Sequence, residues 1–423
     1  MSASGADFQR PISTSLRGRV AAVRVTPARV LLLLAGLIVL VSVVRLATGA
    51  SDVTSSGTVR AALMTAVPIA MAGLGGLWAE RAGVVNIGLE GMLILGTWGG
   101  AWAGYQWGPW AGVVAGIVFG ALGGLLHAVA TVTFGVDHIV SGVAINLLAP
   151  GLTRYLAVIL FTGKPGGGPT QSPQVGEIAT VSVPWLSNWL GTIEQHHWFV
   201  ASDLAGILGG LCTELSLLTI VAVLLLPLSF FVLWRTAFGL RLRSCGENPT
   251  AAESLGVNVY LMKYVALAAS GAFAGLGGVF LSEVASSIYR EGQTGGRGFI
   301  GLAAMIFGNW RPGGLAAGAG LFGYADALQL RQPSAVHALL LFVGLLLLLL
   351  AVRNLLRQRW LGAVLGAVAG AGFLLWFALA DQVPGQFVNA TPYLTTLVVL
   401  AVASQRLRMP AADGLPYRRG QGG

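Results

Sequence analysis

The stretch from Trp234 to Lys263 reads W-R-T-A-F-G-L-R-L-R-S-C-G-E-N-P-T-A-A-E-S-L-G-V-N-V-Y-L-M-K and separates two apolar runs. One apolar run ends at Leu233, and the next begins near Tyr264. Its charged residues are Arg235, Arg241, Arg243, Glu247, Glu253 and Lys263. We therefore interpret this polar segment as a water-exposed connection between two membrane spans, framed by positive charge.

The middle of this segment predicts a short helix. Asn248 is a good N-cap, and Pro249 fits the first helical turn, where its missing N–H leaves no bond unmade. Ala251 and Ala252 propagate a helix well. Gly256 predicts the end of the helix about two turns later. Alanines are small enough for another protein to approach closely, so this helix is a candidate docking element; an ordinary cytoplasmic loop is the alternative.

Composition places the chain in a membrane. Of its 423 residues, 55% are hydrophobic and 10% are charged, whereas soluble globular domains carry about 25% charged residues. The 61 glycines fit helices whose backbones approach closely in lipid. A net charge of +9 would indicate nucleic acid in a soluble protein. Because the arginines lie between apolar runs, we interpret them as topology signals and expect no nucleic-acid partner.

A transmembrane helix needs about 20 apolar residues. The sequence predicts an all-α polytopic membrane protein with about ten to twelve such helices. The segment Phe299–Phe307 is too short to cross alone and is interpreted as a half-helix. The predicted segments are Val30–Gly49, Val59–Trp78, Val84–Gly104, Trp110–Val132, Ile139–Phe161, Leu215–Leu233, Tyr264–Val284, Phe299–Phe307, Leu315–Leu330, Ala335–Val352, Trp360–Ala380 and Tyr393–Ala403.

Positive charge sets the orientation of these spans. Arginines are dense before the first span, in the Trp234–Lys263 stretch and after the last span, and they are sparse in the alternate connections. The positive-inside rule therefore places both termini in the cytoplasm of a multi-pass protein of the cytoplasmic membrane. The expected divisions are a cytoplasmic segment 1–29, a membrane domain 30–352 with an extracytoplasmic loop 163–213 and a cytoplasmic loop 235–263, an appended transmembrane pair 353–404, and a cytoplasmic tail 405–423.

Polar residues inside the third predicted span are candidates for a substrate pathway. Asn86 and Glu90 are four residues apart, so they would share one face of a helix, beside Gly88 and Gly91. A carboxylate within a span is costly and usually faces the bundle interior or a wet cavity. The alternative is a protonated Glu90 that serves packing alone. Asn146 in the fifth span is a weaker candidate.

The loop 163–213 predicts an amphipathic helix in the membrane interface. Trp185 and Trp189 stand among apolar residues at helical spacing. His196 and His197 could suggest a metal, but adjacent histidines point apart on a helix, so no metal site is predicted.

The polar connection resembles the coupling loop of ABC importer permeases of the branched-chain amino acid, simple-sugar and nucleoside group. The resemblance is carried by Thr236–Arg241, Gly246–Pro249, Ala251–Ala252 and Gly256–Val259, and it continues into Ser270–Leu276. It implies that this loop docks on a cytoplasmic ATPase. The implied coupling residues are Gly239, Arg241, Glu247, Asn248, Pro249, Ala251, Ala252 and Gly256.

A second stretch, Ala79–Met92, reads A-E-R-A-G-V-V-N-I-G-L-E-G-M and resembles the N-terminal signature of nucleoside-type permeases of this group. The resemblance implies the membrane-spanning subunit of an ATP-driven importer, with nucleosides or a related sugar-containing solute as cargo. Its implied partners are a second permease subunit, the ATPase and an extracytoplasmic substrate-binding lipoprotein. This chain has no Walker A sequence, so we expect it to be no enzyme and to hold no cofactor, with ATP and Mg²⁺ bound by the ATPase.

Other transport classes are alternatives. An ion-coupled secondary transporter of a small polar solute would use ionisable groups within spans, and Glu90 with the Asp137–His138 pair would supply them. A channel would need a ring of like subunits and a filter. Both alternatives leave the capped loop helix without a role.

The chain also repeats itself. Ala72–Gly76 recurs letter for letter as Ala274–Gly278. The residues Ile87-Gly88-Leu89, Met92, Gly96 and Trp98 are echoed by Ile300-Gly301-Leu302, Met305, Gly308 and Trp310. Our topology sends the two copies across the membrane in opposite directions, which predicts an inverted repeat like that of type II ABC importers. Such repeats place substrate at their interface. This reasoning adds Gly301 and Ala303 to the pathway candidates and predicts that Gly88–Gly96 faces Gly301–Gly308.

Overall fold

The computed structural model describes residues 27–331, 333–380, 383 and 407–420. Within these residues the fold is helical apart from one two-stranded ribbon. The first elements are α1 Pro27–Thr48, α2 Ser56–Arg81, α3 Leu89–Trp107, α4 Pro109–Ala128, α5 His138–Leu160, β1 Thr180–Val181, α6 Pro184–Gln195, α7 Ala201–Cys212 and β2 Leu215–Ser216. The later elements are α8 Leu217–Arg235, α9 Ala237–Glu247, α10 Pro249–Ser254, α11 Val259–Val279, α12 Arg297–Phe307, α13 Pro312–Arg331, α14 Pro333–Leu356 and α15 Trp360–Leu379. Two π-helical turns, Val129–Thr133 and Phe280–Ala285, extend α4 and α11.

The prediction of an all-α polytopic membrane protein is confirmed. Among the described residues, seven helices are long and apolar enough to cross a membrane. The predicted half-helix is α12, which has 11 residues. The predicted segment Tyr393–Ala403 lies outside the described residues. The qualifying helical stretches are Ser56–Arg81, Pro109–Thr133, His138–Leu160, Leu217–Arg235, Val259–Ala285, Val336–Leu356 and Trp360–Leu379.

Glycine packs the centre of the bundle, where α3, α4 and α11 meet. A Cβ added at Gly275 of α11 would overlap the carbonyl oxygen of Gly116 of α4, and one added at Gly96 of α3 would overlap the carbonyl oxygen of Gly275. Gly120 of α4 stands in the same relation to Gly271. Backbones therefore touch backbones here, as the glycine content indicates for helices held together in lipid.

Helices α2 and α11 form an antiparallel pair at the centre of an inverted repeat. A Cβ at Gly75 would overlap the carbonyl oxygen of Ser270, and one at Gly277 would lie 3.1 Å from the carbonyl oxygen of Pro68. Gly75 and Gly277 occupy the same place in the repeated words Ala72–Gly76 and Ala274–Gly278. A pseudo-two-fold axis that superposes α2 on α11 therefore also superposes one of these contacts on the other.

The neighbouring helices follow the same exchange. Helices α3 and α4 pack on α11, while α12 and α13 pack on α2. Near the ends of α4 and α13, Gly124 approaches the carbonyl oxygen of Leu267 on α11, and Gly323 accepts a 2.7 Å hydrogen bond from Thr65 Oγ1 on α2. Each half therefore completes the core of the other, and the predicted inverted repeat is confirmed.

The register expected from the second echo is wrong. Gly96 packs on Gly275, and Gly301 packs on Gly73, which is the repeat partner of Gly275. The structure therefore matches Gly301 with Gly96 rather than with Gly88. Short glycine-containing words recur easily in apolar helices, so the echoed residues did not determine the alignment.

The segment between α5 and α8 folds over one end of the bundle. The predicted amphipathic helix is α6, in which Trp185 and Trp189 are exposed and Leu190 is buried. Helix α7 was not foreseen as a separate element. Its buried Asp203 forms an ion pair with Arg45 of α1 at 2.8 Å, which fixes this cover to the first helix.

Candidate functional site

The predicted pathway residues meet at a break between α2 and α3. Helix α2 ends at Arg81 and α3 starts only at Leu89, so Asn86 lies in a non-helical loop. Asn86 and Glu90 therefore do not share a helix face, contrary to expectation. The Asn86 side chain is buried; its Oδ1 accepts a 3.0 Å hydrogen bond from the Gly88 N–H, and its Nδ2 donates to Ser270 Oγ at 2.8 Å.

Asn146 of α5 holds the other side of this loop. Its Nδ2 donates to the Ile87 carbonyl oxygen at 2.9 Å, and its Oδ1 accepts from the Gly91 N–H at 2.8 Å. A Cβ at Gly88 would lie 3.4 Å from the Cα of Gly142, so α5 touches the loop backbone directly. The two amides satisfy backbone groups that no helix pairs, which explains how a polar loop is tolerated among apolar helices.

Glu90 joins the two halves of the repeat. Its carboxylate accepts hydrogen bonds from Thr294 Oγ1 at 2.6 Å, the Gly296 N–H at 3.0 Å and the Gly298 N–H at 2.7 Å. These donors lie at the N-terminus of α12. The positive end of a helix dipole stabilises a carboxylate, so the buried negative charge is offset without a basic partner.

The remaining pathway candidates lie on α12. Gly301 faces α2, where a Cβ would come within 2.7 Å of the Ile69 carbonyl oxygen. Ala303 is half-buried. The expected facing of Gly88–Gly96 and Gly301–Gly308 is found where Leu302 packs against Leu89 and Met92. The expected packing through glycine is wrong, because Gly96 packs on Gly275 and Gly301 packs on Gly73. A pathway role for these candidates stays a prediction.

His127, which the sequence pattern did not indicate as a functional residue, supports the same loop between α2 and α3. His127 of α4 is buried, with Nδ1 2.8 Å from Ser141 Oγ and Nε2 3.0 Å from the Val85 carbonyl oxygen. The neighbouring Asp137 caps α5, its Oδ1 accepting from the N–H groups of Ile139 and Val140. A lone histidine in an apolar run carries no signal that could have indicated this role.

The coupling loop folds as the sequence predicts. Asn248 is the N-cap of α10, its side chain accepting a 3.0 Å hydrogen bond from the Ala251 N–H, and Pro249 is the first helical residue. Gly256 has a φ of +82°, the left-handed conformation that ends helices. The preceding helix α9 folds back on α8 at Gly239, where a Cβ would overlap the carbonyl oxygen of Val232.

The exposed face of α10 differs from the expected one. Ala252 is 2% exposed and packs against Cys245 and Val259, so it cannot receive another protein. The burial of this cluster raises the pKa of the Cys245 thiol to about 11. Thr250, Ala251 and Ser254 are the exposed residues of α10, and its C-cap Leu255 is 85% exposed. A helix of six residues has too few apolar positions to indicate which side faces inward.

A polar network ties this loop to both halves of the repeat. Glu247 lies 3.9 Å from Arg81, and Arg81 donates to the Trp310 carbonyl oxygen at 2.8 Å. The Trp310 indole N–H donates to the buried Glu80 at 2.5 Å. Movement of the coupling loop would therefore act on the end of α2 and on the turn between α12 and α13. No spacing in the sequence indicates that Trp310 lies beside Glu80.

These features define a polytopic membrane protein with an inverted-repeat core and a capped polar loop between α8 and α11. The matching family model is the branched-chain amino acid transport system permease component, over residues 58–352. The chain belongs to this family. No solved structure matches it.

Three relatives match most of the chain. It is 32% identical to the guanosine ABC transporter permease protein NupQ of Bacillus subtilis over 86% of this chain and 97% of that protein. It is 32% identical to the nucleoside ABC transporter permease protein NupC of Lactococcus lactis over 84% of this chain and 94% of that protein. It is 31% identical to the putative glucose ABC transporter permease protein TsgC13 of Haloferax volcanii over 86% of this chain and 98% of that protein.

Proposed function

We propose that this chain is the membrane-spanning subunit of an ATP-driven importer of nucleosides. The observation that carries the proposal is near-full-length similarity to two permeases named for guanosine and nucleosides. The stretch Ala79–Met92 also supports the proposal, because it resembles the nucleoside-type signature. This stretch runs from the end of α2 through the following loop to the start of α3.

A sugar is the competing cargo. TsgC13 is named for glucose and is almost as similar as the two nucleoside permeases. Nucleosides and sugars share a ring with several hydroxyl groups, so both need hydrogen-bonding groups along the pathway. We favour nucleosides because both first relatives carry that name.

Uptake distinguishes the two cargoes. The whole transporter, expressed in cells that lack their own nucleoside uptake, is given radiolabelled guanosine or uridine with excess unlabelled glucose or excess unlabelled nucleoside. We expect nucleoside to abolish the signal and glucose to leave it unchanged. A transporter that takes up radiolabelled glucose in a parallel assay but takes up no labelled nucleoside would overturn the choice of cargo and leave the transport class standing.

The partners follow from the two ends of the bundle. We place a cytoplasmic ATPase, with its ATP and Mg²⁺, against α9 and α10, so that hydrolysis occurs in that separate chain. A substrate-binding lipoprotein would meet the face that bears α6 and α7 outside the cell, and a second permease subunit would complete the membrane part. Both termini then lie in the cytoplasm, in agreement with the distribution of arginine.

Two of the three residues named for the secondary-transporter alternative, Asp137 and Glu90, are hydrogen-bonded at helix ends. Asp137 is a helix cap, and Glu90 accepts three hydrogen bonds at the start of α12. Neither carboxylate stands free in the described structure as a proton relay would need.

The coupling role of α10 is tested at Ala251 rather than at Ala252. Replacing the exposed Ala251 with Arg adds bulk to the docking face without filling the core, so uptake should fall at least tenfold while membrane insertion is unchanged. Leu356→Arg is the matched control, since Leu356 is exposed at the same end of the bundle on α14. Normal uptake by Ala251→Arg would refute the assignment of α10.

A further inference from the structure

The described part of the C-terminal tail, residues 407–420, lies on the coupling loop. The Ala412 N–H donates to the Gly246 carbonyl oxygen at 2.8 Å, and the Ala411 N–H donates to Glu247 Oε2 at 3.3 Å. Gly246 and Glu247 are the last residues of α9, directly before the N-cap of α10. The tail is therefore bonded to the base of the helix that we assign to ATPase coupling.

Three further contacts hold the tail in place. The Arg408 N–H donates to Asn309 Oδ1 at 2.7 Å, beside the turn between α12 and α13. The Tyr417 ring lies 5.7 Å from the Tyr260 ring, and Lys263 Nζ also lies 5.7 Å from the centre of the Tyr417 ring. The tail thus spans the inner end of the bundle.

A turn inside the tail directs one apolar side chain away from the protein. The Asp413 N–H donates to the Pro410 carbonyl oxygen at 3.2 Å, and the Leu415 N–H donates to the Ala412 carbonyl oxygen at 3.3 Å. Asp413 is buried under this turn, while Leu415 is 57% exposed. The Asp413 carboxyl lies beside Glu80 and Lys263, and Leu415 takes no part in that contact.

Exposed leucines therefore occur on α9, directly after α10 and on the tail. Leu240 of α9 and Leu255 beyond α10 are 61% and 85% exposed, and Leu415 stands on the tail bonded to the same loop. The arginines around them mark a water-facing end, so lipid cannot cover these side chains as it covers the leucines of the spans. Apolar side chains exposed to water in such a group mark a protein interface. The exposed basic residues around them are Arg241, Arg408, Arg418 and Arg419.

We propose that residues 407–419 and α10 form a single docking surface for the cytoplasmic ATPase. This inference rests on the proposed function and extends it from the coupling loop to the tail. The partner surface should be a groove with apolar positions for Leu255 and Leu415. Its rim should be acidic, because the surface of this chain is edged with arginine.

Site-specific crosslinking tests the surface without disturbing the fold. A photoreactive benzoylphenylalanine replaces Leu415, Leu255 or Leu356 in the full-length chain, coexpressed with the ATPase subunit that copurifies with the wild-type permease. We expect an ATPase adduct from positions 415 and 255 and none from position 356. An adduct from position 255 without one from 415 would overturn the tail inference and leave α10 intact. Adducts from neither would overturn the coupling assignment as well.

A substitution measures how much the tail contributes. Leu415→Asp should lower the amount of copurified ATPase at least fivefold, because a carboxylate cannot enter an apolar position of the groove. Leu415→Met should retain wild-type recovery. Equal recovery with Leu415→Asp, in a permease inserted at the wild-type level, would show that the tail is outside the docking surface.

Discussion

The two halves of the repeat share their glycine framework and differ in how their second helices begin. Helix α3 has 19 residues and follows the loop that Asn86 and Asn146 hold. Its counterpart α12 has 11 residues and begins at the carboxylate of Glu90. The framework repeats because close backbone contact needs only glycine. The polar groups do not repeat, and they are concentrated where the second helices of the two halves meet.

The first helices show a finer difference at matched positions. Gly75 of α2 and Gly277 of α11 hold the same place in the repeated word. An added Cβ would overlap the Ser270 carbonyl oxygen at the first position, and would lie 3.1 Å from the Pro68 carbonyl oxygen at the second. Proline lacks an N–H, so the helix near Pro68 is open to small adjustments that the helix near Ser270 resists.

The largest expected effect comes from replacing Gly75 and Gly277 in separate variants. Gly75→Ala forces a methyl group into a backbone carbonyl and should destabilise the protein by about 3 kcal/mol. Gly277→Ala should be within about 1 kcal/mol of wild type, since helix propensity offsets a mild contact. Thermal unfolding of the two purified variants in one detergent checks the difference.

Gly372→Ala is the control, because nothing lies within 4 Å of an added Cβ there. Equal melting temperatures for the Gly75 and Gly277 variants would contradict the asymmetry between the two halves.

A smaller effect is expected at the junction of the halves. Glu90→Gln leaves one acceptor oxygen where two accept three hydrogen bonds, and it removes the charge that faces the α12 N-terminus. The loss should be about 1–3 kcal/mol of stability. Thermal unfolding measures that loss, and uptake assays with several nucleosides measure any change in selectivity.

The two readouts separate packing from transport. A stability loss with an unchanged uptake profile would leave Glu90 as a helix cap alone. An altered nucleoside preference at normal expression would support the pathway prediction. Asn146→Ala serves as comparison, because Asn146 supports the same junction from α5 through its hydrogen bonds with Ile87 and Gly91 rather than through α12.

Local sequence signals predicted local structure well. The cap at Asn248, the stop at Gly256 and the short α12 all follow from residue types within a few positions of each other. The break at Asn86 could not be foreseen in this way. Its sequence is apolar enough for a helix, and the loop exists because distant groups, Ser270 and Asn146, satisfy its polar atoms.

At the coupling end, too, local sequence signals do not indicate which residues face outward. Ala252 faces inward because the tail and α11 pack around it, and a tail rich in proline and glycine gives no sign that it is fixed. Trp310 and Glu80 are brought together by the inverted repeat rather than by any motif. Contacts of long sequence separation therefore decided which candidate residues face outward.

The smallest expected effect is a pH dependence of tail docking. It arises at the inner ends of the first helices of the two halves, where Glu80 of α2 and Lys263 of α11 lie near Asp413 of the tail. Burial, reinforced by the negative charge of Glu80, raises the pKa of the Asp413 carboxyl to about 9. In a released tail the Asp413 carboxyl has its ordinary pKa of 3.8. Between pH 3.8 and about 9, this carboxyl is therefore protonated in the docked tail and ionised in the released tail. Tail docking should therefore be strongest below about pH 4 and weaken as pH rises toward 9. Hydrogen exchange at the Ala411 and Ala412 amides should therefore quicken with pH beyond its intrinsic dependence. Asp413→Asn should remove this excess pH dependence of exchange. Asp52→Asn, at the other end of the bundle, is the control and should leave it unchanged. An excess pH dependence that survives in Asp413→Asn would show that another group controls the tail.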